Sequence, residues 1–167
     1  MKRRSIVTQI FFIILSSAFF VNVSFAQPDE SVLVEQKVTS LWNDYITLFS
    51  NGQSKLIAER IFSAPIYMVQ EDEVQLLSTQ DNVHTYFGMS AIYLASLNYK
   101  DTKTKQLNIC VLNNASAIIS AEIIRYRKDE SVLTELSFTY LVAKKQEGWR
   151  FVASIPHNVN KMIKCAG

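Results

Sequence analysis

From Thr104 to Ile155 the chain is almost unbroken strand-forming sequence: TKQLNICVL, SAIISAEIIRYR, VLTELSFTYLVAK and WRFVASI, parted only by NNA, KDES and KQEG. Connections this short can only turn a strand back beside its predecessor, so the segment is constrained to an antiparallel meander. Pairing across KDES predicts Arg125 opposite Thr134 and Ala121 opposite Phe138; pairing across KQEG predicts Tyr140 opposite Ala153 and Val142 opposite Phe151. Because side chains alternate along a strand, one face then collects Ile119, Ala121, Ile123, Arg125, Leu136, Phe138, Tyr140, Val142, Trp149, Phe151, Ala153 and Ile155. Ser120, Glu122, Tyr126, Glu135, Ser137, Thr139 and Arg150 fall on the other. The first face is the one that helices should cover.

Those helices lie upstream. Val34, Val38, Leu41, Trp42, Tyr45, Leu48 and Phe49 recur at three- and four-residue steps, which predicts one amphipathic helix capped at Asp29 and stopped at Asn51-Gly52. A short helix over Ser54 to Phe62 follows, and Pro65 ends it and opens the strand IYMV, paired with VQLL across QEDE. Ser78 and Asp81 are spaced as a capping box for a third helix carrying Val83, Tyr86, Phe87, Ser90, Tyr93, Leu94 and Leu97 and ending near Asn98. The order is three helices, interrupted by a hairpin, and then four strands.

The first residues read differently. MKRRS, an apolar run centred on IFFIILSSAFFV, and small residues at Ser24 and Ala26 predict a secretory signal over residues 1–26, cleaved after Ala26, and hence a periplasmic or secreted protein. The run is too short for a membrane span of roughly 20 residues, and no stable span is expected after cleavage. Removing it leaves 14 basic residues against 15 acidic ones, which gives no basic surplus for nucleic acid. The remaining 141 residues suit one domain, taken as residues 27–160, with 161–167 as a C-terminal tail.

Cys110 and Cys165 have no metal-ligand spacing to a histidine, and neither a metal nor a cofactor is expected. Oxidation is permitted by the compartment, but the expectation is two separate thiols. No phosphate-binding glycine loop or nucleophile elbow is present.

The order of elements, together with the strings FSNGQSKLIAERIFSAPIYM, RYRKDES and TYLVAKKQEGWRFVAS, resembles the nuclear transport factor 2-like superfamily, which includes ketosteroid isomerases and SnoaL-like polyketide cyclases. The resemblance runs from about Asp29 to His157. It implies an α+β fold of three N-terminal helices on a strongly curved, mainly antiparallel six-stranded sheet, forming a cone-like barrel whose interior can hold a small ligand. Tyr45, Phe49, Phe62 and Tyr67 would point into it, though a domain of this size needs large apolar side chains there in any case.

An isomerase, cyclase or dehydratase of this kind needs an inward acid or histidine. IYMV carries no carboxylate, and Glu122 and Glu135 fall on the outer parity. His84, beside the apolar stripe of the third helix, and His157, with the parity of Ile155, are the weak catalytic candidates. The preferred expectation is a non-catalytic domain that binds a small hydrophobic or carboxylate-bearing ligand, with enzymatic and purely structural dimerisation roles as alternatives. Its pocket is predicted from Tyr45, Phe49, Tyr67, Tyr86, Tyr93, Arg125, Phe138 and Tyr140, with Arg125 as the nearby fixed charge. A homodimer through the outer sheet face is expected, since superfamily members commonly pair there and Ile118, Ile124, Tyr126, Leu133 and Leu141 make that face apolar.

Overall fold

The computed structural model describes residues 29–70 and 72–165; the predicted cleavage site at Ala26 lies outside them. In chain order the elements are α1 (Glu30–Ser50), α2 (Ser54–Arg60), β1 (Phe62–Val69), β2 (Val74–Leu77), α3 (Gln80–Ser96), β3 (Tyr99–Asn113), β4 (Ser116–Arg127), β5 (Val132–Lys145) and β6 (Gly148–His157). The six strands form one sheet in the order β2-β1-β6-β5-β4-β3. Only the β1–β6 pair is parallel. The fold is therefore three helices against a mainly antiparallel six-stranded sheet, α+β, as expected. No helix among the described residues is long and apolar enough to cross a membrane.

Local chemistry sets the helix ends. The Asp29 carboxylate accepts from the Ser31 amide at 3.0 Å, and α1 stops where Gly52 takes a φ of +65°, a conformation that favours glycine. α2 ends at Arg60 rather than Phe62, so Phe62 begins β1, ahead of a cis Ala64–Pro65 bond. The cap of α3 sits one residue later than predicted: Thr79 accepts from the Asn82 amide at 3.2 Å, and Asn82 accepts in return from the Thr79 amide at 3.3 Å. Gln80 then ties three segments together, accepting from the Ala64 amide at 2.7 Å and donating to the carbonyls of Ala58 and Phe62.

The meander registers carry most of the predicted pairs, including Arg125↔Thr134, Ala121↔Phe138 and Val142↔Phe151. Tyr140 instead faces Ser154, because β6 holds one extra residue, Val152, between its pairings with Val142 and Leu141. A single-residue bulge reverses the facing of everything beyond it. Ser154 is therefore buried with the inner face, whereas Ala153, Ile155 and His157 take the outer one. β3 is irregular at three places, and at one of them the extra residue, Lys105, turns outward and bridges Glu122 at 2.8 Å and Glu135 at 2.9 Å. Both glutamates therefore lie on the outer side, as their parity predicts.

The core fills the space between helices and inner face. Trp42 and Phe151 are wholly buried and Phe62 nearly so. Side chains of this size contribute about 1.5–3 kcal/mol each on burial. Trp42 also donates from Nε1 to Thr104 Oγ1 at 2.9 Å, which seats α1 on β3. Behind the sheet, residues 158–165 run back across the outer face. Asn108 donates to the Ile163 carbonyl and the Ile163 amide to Ser120 Oγ, each at 3.0 Å. This path brings the Cα atoms of Cys110 and Cys165 to 5.5 Å, and the two are joined in a disulfide, which corrects the expectation of separate thiols.

Candidate functional site

Tyr45 organises the inner end of the cone. Its ring packs edge-on against Phe49, Phe62, Phe87, Tyr140 and Phe151, with centroids 5.4 to 6.2 Å apart. Such pairs add about 0.5–1.5 kcal/mol each beyond buried area. These rings leave a cavity of about 200 Å³. α1 contributes Tyr45 and Phe49 to its lining, and α3 contributes Tyr86, Phe87, Ser90, Tyr93 and Leu94. The sheet contributes Phe62, Met68, Arg125, Phe138, Tyr140 and Ser154.

Of the eight predicted pocket residues, the structure brings Tyr45, Phe49, Tyr86, Tyr93, Arg125, Phe138 and Tyr140 to this one cavity. Tyr93 is a rim residue, 65% exposed. Tyr67 is elsewhere: it faces outward, 52% exposed, paired with Leu76 and Ala153, and its neighbours Ile66 and Met68 take the inner face. His84 is exposed on α3, and His157 sits on the outer face, with Nε2 3.1 Å from Thr139 Oγ1. Neither histidine lines the cavity. Sequence reasoning missed Met68 and Ser154, both hidden by strand irregularities; Phe87, Ser90 and Leu94 already stood on the predicted stripe of α3.

The electrostatics centre on Arg125. Its guanidinium carbon lies 5.0 Å from the centroid of the Phe49 ring, and its Nε is buried without a hydrogen-bond partner. No Asp, Glu or His lines the cavity, and no ion pair involving Arg125 occurs among the described residues. The positive charge instead faces the phenols of Tyr45, Tyr86 and Tyr140. Burial pushes Tyr45 up to about 12 and Tyr140 well above the ordinary phenol value, and it raises Tyr86; Arg125 opposes the shift in each. All three hydroxyls are therefore neutral near pH 7 and able to donate. The arrangement is one unpaired cation among phenol donors, walled by aromatic rings, and no group in it is disposed to take a proton from carbon.

A family model described as NTF2-like protein (DUF6841) matches residues 34–159. No curated protein matches the sequence. Among solved structures, an NTF2-like protein of unknown function from Shewanella oneidensis MR-1 is 13% identical with a TM-score of 0.61, over 75% of this chain and 99% of that one. An NTF2-like superfamily protein from Salmonella enterica serovar Typhimurium LT2 is 15% identical with a TM-score of 0.58, over 78% and 94%. A candidate scytalone dehydratase from Novosphingobium aromaticivorans is 12% identical with a TM-score of 0.58, over 78% and 87%. At these identities the likeness is one of fold.

Proposed function

The chain belongs to the NTF2-like family, and on that premise we propose that it is an exported binding protein whose cone holds a small hydrophobic molecule bearing a carboxylate or another acceptor. The observation that carries this reading is the Arg125 guanidinium, partly buried, with its Nε orphaned and no ion-pair partner among the described residues. A buried donor left unsatisfied costs about 1–3 kcal/mol, and an incoming carboxylate is the group that removes that cost. Aromatic walls suit a flat apolar body, while phenol hydroxyls fix its polar edge.

The fold also supports proton-transfer chemistry elsewhere in the family's structural neighbourhood, where a candidate scytalone dehydratase shares it. That chemistry requires a base near its working pH, and the ionisable groups lining this cavity are one arginine and tyrosines, of which Tyr45, Tyr86 and Tyr140 are pushed away from neutrality. Binding without turnover is therefore the reading taken here.

The test is a calorimetric screen of small hydrophobic acids against wild type, Arg125→Ala and Tyr140→Phe, paired with an isomerase assay on a conjugatable ketosteroid. Binding that depends on Arg125 without turnover is expected. Rapid turnover, whether or not it survives loss of His84 and His157, would reject the non-catalytic reading.

A further inference from the structure

Phe49, Phe87 and Leu94 do not line the cone alone. They also line a second cavity, about 220 Å³, enclosed by the end of α1, α2 and α3. Ile57 and Ala91 complete its apolar inner wall, and it meets solvent beside the exposed Ala95, the Asn51-Gly52 turn and Lys100. Neither cavity alone reaches the roughly 300 Å³ at which sites for drug-sized ligands begin, whereas a site spanning both would pass it. The three shared side chains stand between them, and Phe49 is the one that also carries the Arg125 guanidinium.

We infer that Phe49 is a partition between two halves of one binding site, and that the ligand is an amphipathic acid whose apolar chain runs from Arg125 past Phe49 into the second cavity. This rests on the reading of Arg125 as the anchor for an acid. The direction follows from charge. Lys100, the cation at the second cavity, is already paired with Glu130, whereas Arg125 has no anionic partner among the described residues. The carboxylate therefore belongs in the cone and the apolar chain at the Ile57–Ala91 end. Ala91 and Ala95, one turn apart on α3, supply the room: any larger side chain there would project into the space the chain needs.

The experiment is calorimetry with para-alkylbenzoates carrying methyl, butyl and octyl chains, against wild type, Ala91→Phe, Ala95→Leu and Arg125→Gln, with a melting curve for each variant. In wild type, affinity is expected to rise about fourfold per methylene while the chain is being buried. Ala91→Phe should cut the ratio of octyl to methyl affinity by at least about tenfold, and Ala95→Leu, a milder filling at the exposed end, by less. An octyl-to-methyl ratio unchanged in both folded variants, or no gain beyond methyl in wild type, overturns the inference while an Arg125-dependent methyl compound leaves the cone reading standing. A methyl compound that binds Arg125→Gln as tightly as wild type overturns both.

Discussion

Arg125 holds its guanidinium carbon 5.0 Å above the Phe49 ring while its Nε hydrogen has no acceptor. A cation over a ring gains about 0.5–2 kcal/mol, which at best balances the cost of one unsatisfied buried donor. The pair is therefore tolerated by the fold, and the proposed acid would supply the acceptor that Nε lacks.

Replacing Arg125 by alanine should weaken a hydrophobic acid by about 10- to 100-fold, the value of one charge-assisted contact of about 1.5–3 kcal/mol. Thermal stability should move little, since the lost ring contact and the relieved orphan donor oppose each other. Calorimetry and melting curves measure the two quantities separately. A large loss of stability with unchanged binding would make the arginine structural.

The buried phenols predict a specific alkaline behaviour. Burial raises the Tyr45 phenol to about 12, above its ordinary value, so between the two the folded state holds a proton that the unfolded state has released. Unfolded protein then binds fewer protons than folded, and stability falls as pH rises. The contribution is intact below about pH 10 and is lost progressively through about pH 12, on the order of 2–3 kcal/mol. Tyr140 acts in the same direction. Melting temperature against pH, alongside tyrosinate absorbance, should show the loss, and Tyr45→Phe should reduce it, leaving the part due to Tyr140. A wild type whose stability is constant across that window would mean these hydroxyls are hydrated.

Export and the Cys110–Cys165 bridge are expected together, because a disulfide persists where the compartment is oxidising. N-terminal sequencing of exported material should begin at Gln27, and thiol titration in denaturant without reductant should find no free thiol. The bridge spans 55 residues, so Cys165→Ser should cost about 2–4 kcal/mol in chemical denaturation. Two titratable thiols in exported protein would contradict the bridge, and a retained N-terminus would contradict cleavage.

The meander was readable because its strands are long and its turns short, so register follows almost from counting: Arg125↔Thr134 and Val142↔Phe151 are found where spacing places them. The departures come from features that leave no mark in composition. Val152 is an ordinary β-branched residue, yet as the extra residue of a bulge it sends Ser154 inward and Ile155 and His157 outward. Tyr67 fits either face of a strand; its side is decided in part by the parallel pairing with Ala153, a contact distant in sequence. The disulfide likewise depends on the path of a tail with no periodicity of its own. The aromatic composition of the site was therefore legible, whereas the exact wall was not.

The outer face supports one more expectation, the homodimer. The C-terminal segment covers part of the β3–β4 side, around Asn108 and Ser120. What remains open is a row crossing the other four strands, Leu76, Tyr67, Ala153 and Leu141, in register with one another, with Ile155 adjacent on β6. Tyr67, Leu76, Leu141 and Ile155 are 52%, 49%, 41% and 40% exposed, so the row presents adjacent apolar side chains to water. A two-fold pairing would bury this row against itself and needs about 800 Å² per partner to be stable. Placing a carboxylate on this row desolvates a charge twice in a symmetric interface, so Leu141→Glu should convert a dimer to monomer while leaving the cone and its ligand affinity untouched. Light scattering across a wide concentration range checks the first part, and the acid titration checks the second. A wild type that is monomeric throughout, with Leu141→Glu no more soluble than its parent, would leave this row as mere surface. Loss of dimer and of binding together would place the ligand site under the control of the interface.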